Sequence, residues 1–139
     1  MKQFSFNLEK VLKLRKFHED EAKIELGKAI SYLSSLENQI KTIAQERVRA
    51  AGDQFRPGNN AIMIQQYMYY LIRLDNLKEQ LLKEAAMAEL KVEEARELFM
   101  EASRDRKVLD KLKEKRQKEY RKEMLLEESK TLDDISSSK

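Results

Sequence analysis

The chain has no cysteine, one proline and three glycines among 139 residues, and aromatic residues make up only 7% of it. Without cysteine there is no disulfide framework, no thiol nucleophile and no thiolate metal site. Few turn-forming residues and 38% charged residues are the signature of long helices rather than of a compact globule. The apolar share of 41% is enough for two narrow facing stripes and thin for a multilayer core. Neither charge sign dominates: 28 Lys and Arg stand against 25 Asp and Glu, for a net charge of +3. A nucleic-acid reader carries a concentrated basic face, so the overall balance argues against that role. No window reaches the roughly 18 apolar residues of a membrane span. The opening Met1-Lys2-Gln3-Phe4-Ser5-Phe6 lacks the apolar centre of a signal peptide.

What is present is a heptad stripe. Ala22, Leu26, Ala29, Leu33, Leu36, Ile40 and Ile43 recur at steps of four and three, and Met63, Tyr67, Tyr70, Leu74, Leu77 and Leu81 repeat the pattern. One turn-like segment, Gly52 to Asn60, separates the two runs. The layout predicts an all-α fold: two long helices forming an antiparallel coiled-coil hairpin, helix two longer than helix one. The expected organisation is a single coiled-coil domain over 1–139, with helix one at about 6–51, a bend at about 52–60, helix two at about 61–132 and a frayed tail at 133–139. Ser5 or Asn7 is a candidate cap for helix one, and Asn59 or Asn60 for helix two. Pro57 disfavours helical geometry at Arg56 and marks the bend.

Two irregularities are legible. Towards the N-terminus the grid runs from Leu8 and Leu12 into Arg15 and Glu19, a polar interruption of the seam. After Leu81 the stripe changes phase to Ala85, Ala88, Val92, Ala95, Phe99 and Ala102, a stutter that locally unwinds a supercoil. At 1.5 Å per residue the expected helices measure about 70 Å and about 105 Å. Folding at Pro57 then sets Leu8 opposite 104–108 and leaves the chain beyond about Leu109 without a partner.

No catalytic site, cofactor site or metal site is expected. His18 is the sole histidine and has no second imidazole to converge with. The pairs Glu93-Glu94 and Glu127-Glu128 diverge by about 100° on a helix, so neither holds a shared proton. The stretch Arg104 to Lys122 holds ten basic and four acidic residues, whereas Glu79 to Glu101 is net acidic. The interleaved acids favour a protein partner with an acidic surface over nucleic acid. Met63, Tyr67, Met68, Tyr69 and Tyr70 gather just after the bend, a composition suited to protein binding.

The two ends carry a family resemblance. Phe6-x-Leu8-x-x-Val11-Leu12-x-x-Arg15-x-x-x-Glu19-x-x-Ala22 resembles the opening of the bacterial flagellar export protein FliJ family. Arg104-x-Arg106-Lys107-Val108-Leu109-x-Lys111-Leu112, then Tyr120 and Glu127-x-x-Lys130-x-Leu132-Asp133-Asp134, resembles its closing segment. The resemblance covers essentially the whole chain. It implies a non-enzymatic stalk and chaperone-escort component of the flagellar type III protein export apparatus. Such a protein binds the hexameric export ATPase ring, promotes its assembly, and couples it to the membrane-embedded export gate. It also binds substrate-chaperone complexes and sits in the cytoplasm, peripherally associated with the membrane. On this reading Phe4, Phe6, Leu8, Val11, Leu12, Arg15, Arg106, Lys107, Leu109, Lys111, Leu112, Arg116 and Tyr120 contact the ring. The Met63, Tyr67, Met68, Tyr69 and Tyr70 cluster is left for the gate or chaperones. The alternatives are the equivalent stalk protein of a virulence-type secretion system, or a passive coiled-coil scaffold.

Overall fold

The computed structural model describes residues 3–137. It contains two helices, α1 (Glu9–Gln54) and α2 (Ala61–Ser137), of 46 and 77 residues. Among the described residues there is no strand. The helix order and the greater length of α2 are as the stripe predicts. α1 begins after Leu8 rather than at Phe6 and runs past Ala51. α2 continues through the expected tail as far as Ser137, while Ser138 and Lys139 lie outside the described residues.

The chain divides into two compact units. Unit one comprises Met1–Lys23 and Leu98–Lys139, and unit two is Ile24–Glu97.

Unit two contains the bend. Gly58 adopts φ 100, a conformation an L side chain would strain. Asn60 Oδ1 accepts the Met63 amide at 2.9 Å and caps α2. Asn59 Nδ2 donates to the carbonyls of Asp53 (2.8 Å) and Gln54 (3.0 Å), which satisfies two acceptors at the end of α1. The two asparagines thus divide the work, one closing each helix. Beyond the bend the helices run antiparallel around Leu36, Leu81, Ala85 and Ala88, with Leu33, Ile40 and Ile43 packed against them. The buried set spans the stutter: Leu74 and Leu81 lie on the old grid, and Ala85, Ala88 and Val92 on the new one. Arg47 holds Asp75 across the helices with bonds of 2.5 and 3.2 Å.

Unit one pairs the N-terminal segment with α2, again antiparallel. Its apolar centre is Phe6, Leu12 and Leu109, with Phe4, Leu8 and Leu112 packed against them. The register corrects the expectation. Glu9 pairs with Lys113 at 2.8 Å, and the Phe4 and Tyr120 rings lie 5.6 Å apart. Pairing therefore reaches Tyr120 and does not stop near Leu109, and Leu8, between Asn7 on Arg116 and Glu9 on Lys113, faces 113–116 rather than 104–108. The turn itself lies where Pro57 predicts: the Asn59 amide donates to the Arg56 carbonyl at 3.2 Å across Pro57 and Gly58. The facing positions are fixed instead by the side chains that pair between the two segments, Glu9 with Lys113 and Glu19 with Arg106.

Candidate partner-binding surfaces

In unit one the polar interruption of the seam is filled by ionic contacts between the two segments. Arg106 places Nη2 3.1 Å from Glu19 Oε2 and Nη1 2.7 Å from Asp110. Arg15 Nη1 donates to the Asp105 carbonyl at 2.8 Å. Arg116 donates to the Asn7 side chain and lies 5.6 Å from the centre of the Phe6 ring. That bond uses the side chain of Asn7 in tertiary pairing, and α1 opens instead with the Leu12 amide on the Leu8 carbonyl. The Arg106 guanidinium holds the Glu19 carboxyl below its ordinary range, and Lys113 does the same for Glu9.

These contacts sort the residues assigned to the ring. Phe6, Leu12 and Leu109 are buried, so they build the body of the unit and present nothing to solvent. Phe4, Leu8, Arg15, Arg106, Leu112, Arg116 and Tyr120 are half-buried. Arg15, Arg106 and Arg116 are spent on their own chain's acceptors. Val11, Lys107 and Lys111 are exposed. Leu14 and Phe17, which the heptad grid passes over, are also exposed at 54% and 56%. Their signal was a second apolar stripe, Val11-x-x-Leu14-x-x-Phe17, running alongside the seam. On α2, Leu125, Leu126, Leu132 and Ile135 extend the exposed apolar surface towards the C-terminal end. His18 is exposed, with Nδ1 3.7 Å from Glu21.

In unit two Tyr67, Tyr70, Met68 and Tyr69 fall as the heptad grid implies, whereas Met63, a grid position expected on the seam, is exposed. Tyr67 and Tyr70 are half-buried, and Tyr70 donates its hydroxyl to Glu46 Oε1 at 2.8 Å. The Arg49 guanidinium, with that hydroxyl in support, lowers the Glu46 carboxyl to about 2. Met63, Met68 and Tyr69 face solvent. Phe55 is 73% exposed, so it does not cap the bend, and Ile62 stands out beside it. The exposed apolar surface near the bend is therefore larger than the sequence pattern indicates.

Both candidate surfaces lie on helix faces. Among the described residues no group of three or more His, Asp or Glu gathers as a metal site, and no helix is long and apolar enough to cross a membrane. What such surfaces offer is recognition by shape, charge and exposed apolar side chains.

No curated protein and no solved structure matches this chain. A family model does. Residues 4–139 match the family described as Flagellar FliJ protein, so the match spans both units and includes each of the end motifs. The chain belongs to the flagellar FliJ protein family, whose members are non-catalytic components of the flagellar export apparatus.

Proposed function

We propose that this protein is the stalk component that binds the hexameric export ATPase, promotes assembly of its ring, and links it to the export gate and to substrate-chaperone complexes. One observation carries the ring assignment. Unit one brings the N-terminal segment and the basic part of α2 into a single body. The outside of that body combines exposed cations (Lys107, Lys111) with exposed apolar side chains (Val11, Leu14, Phe17). A ring lumen needs both: apolar contact for affinity, and charge for orientation. The buried members of the assigned set, Phe6, Leu12 and Leu109, act by holding the two segments together. Arg106 positions α2 on α1 through Glu19. The exposed Met63, Met68 and Tyr69, extended by Phe55 and Ile62, are left for the gate or the chaperones.

The direct test is turnover and ring assembly of the cognate ATPase with and without the purified protein. Stimulation at near-stoichiometric ratios is expected, together with its loss in a Lys107→Ala, Lys111→Ala variant of unchanged helix content. An active ATPase that ignores a well-folded protein would return the chain to the passive-scaffold or virulence-system reading.

A further inference from the structure

One face of α2 in unit one is lined by cations alone. Arg104, Lys107, Lys111, Lys115, Lys118 and Lys122 follow one another at steps of three or four, and all six are solvent-exposed. At 3.6 residues per turn they fall within about 80° of arc and extend over roughly 27 Å. The packing face of the same helix carries Arg106, Leu109, Lys113 and Arg116, about 180° away by the same geometry. The ridge is thus the back of α2, turned away from the N-terminal segment. Asp105, Asp110 and Glu123 lie off the ridge, and Glu114 and Glu119 lie at its edges. Glu114 reaches Lys118 at 3.7 Å, with both side chains more than 60% exposed. Exposed apolar residues bracket the ridge on the same side: Met100 (46%) before it, Val108 (62%) within it, and Leu125 (65%) and Leu126 (63%) after it.

We propose that this ridge docks the protein on a bilayer surface containing anionic lipid. Three features select that occupant. First, five of the six cations are lysine. Lysine is a hydrated point charge that acts through water, whereas arginine forms the paired bonds of a close interface. Protein interface cores are depleted in lysine and enriched in arginine and large aromatics, and this ridge contains no aromatic residue. Second, the cations stand in a line on a helix, about one per turn, so all six can approach one flat anionic plane together. A run of four to eight Lys or Arg is the charge count that anionic membranes recognise. Third, the flanking Leu125, Leu126, Val108 and Met100 would enter the acyl boundary as the lysines meet headgroups. The same apolar side chains gain nothing from a phosphodiester backbone. This inference goes beyond the ATPase-binding reading and does not depend on it. Lys107 and Lys111 serve both surfaces, whereas Lys115, Lys118 and Lys122 lie outside the ring set.

The test is flotation of the full chain with vesicles of phosphatidylcholine alone or with about one third phosphatidylglycerol, at low and high salt. The wild-type chain should float with anionic vesicles, stay behind with neutral ones, and be released at high salt. A K115Q/K118Q/K122Q variant should bind about 100-fold more weakly, because each cation near the surface contributes independently. It should also keep its helical circular dichroism and its ATPase binding. A Leu125→Ser, Leu126→Ser variant should weaken vesicle binding without changing its salt dependence. Wild-type protein that ignores anionic vesicles, or a triple variant that binds them as well as wild type, overturns the proposal. So does random-sequence duplex DNA that binds through the same three lysines while vesicles do not, which would assign the ridge to nucleic acid.

Discussion

The two units use one helix-pairing plan with opposite materials. Unit two buries Leu36, Leu74, Leu81, Ala85, Ala88 and Val92 along its apolar seam, and its ionic contacts sit at the margins. Unit one has a short apolar centre of Phe6, Leu12 and Leu109, and otherwise holds its segments together with Arg106–Glu19, Lys113–Glu9 and Arg15 on Asp105. Apolar burial is non-directional and tolerates small sliding. Charged pairs inside a seam fix register and orientation at some expense in stability. The difference teaches that unit one is specified more by geometry than by bulk burial. A unit held in that way is expected to open more readily than one closed by apolar burial.

The largest expected effect removes the one side chain that unit one buries completely. Leu12 is 0% exposed, and Leu12→Ala should cost about 2 to 5 kcal/mol through lost transfer energy and the cavity left behind. Amide exchange should then accelerate in 9–23 and 98–120, while the seam around Leu36 and Leu81 keeps its protection. Equal acceleration in both would erase the distinction drawn between the units.

Acid probes the same contrast. The carboxyls of Glu9 and Glu19 have folded values below the ordinary 4.5. A lowered folded value means that their stabilisation is complete above pH 4.5 and disappears as pH falls through the lowered values. Glu46 in unit two follows the same rule down to about 2. Unit two retains its apolar seam when its carboxyls protonate, and unit one retains little beyond its short centre. Exchange compared at pH 5 and pH 3 should show unit one opening first. Unit two opening first would mean that its marginal ion pairs matter more than its leucines.

A smaller effect isolates one seam pair. Glu19→Gln keeps the shape and removes the charge facing Arg106, whose side chain is 24% exposed beside a Glu19 that is 17% exposed. The expected loss is about 1.5 kcal/mol, the low end of the range for hydrogen bonds to charged groups. Asp75→Asn breaks a cross-helix pair exposed at 44% and 49%, and the shift in its denaturation midpoint should be the lesser of the two. Asn60→Ala removes the α2 cap and should cost about 1 kcal/mol, with fraying confined to the first turn of α2. Equal shifts for Glu19→Gln and Asp75→Asn would mean that the seam position confers no advantage.

Much of this was legible in the chain. Leu8, Leu12, Arg15, Glu19, Ala22 and Leu26 through Ile43 on the heptad grid are all buried or half-buried. The stutter after Leu81 was visible because apolar residues are few enough for a phase change to stand out. The register was not legible, because it depends on which side chains pair across the two segments. Pro57 locates the turn, between Arg56 and Asn59, but does not fix the facing positions. The surfaces were legible only in part. Lys107 and Lys111 stand out by their charge and are exposed, whereas a grid that finds one seam says nothing of Leu14, Phe17 and Phe55, whose exposed apolar surface only the structure shows.

The sequence by itself determined that there are two helices, which is the longer, and most of the stripe each one buries. Periodicity and turn residues are local properties, and local properties are written residue by residue. Only the tertiary structure decided which residues face one another, and hence that Arg106 clamps Glu19, that Asn7 serves Arg116 rather than its own helix, and that the lysines of α2 line its outer face. Facing is a property of pairs distant in the chain. It is set by the position of one turn and by the charges that lock the register the turn allows.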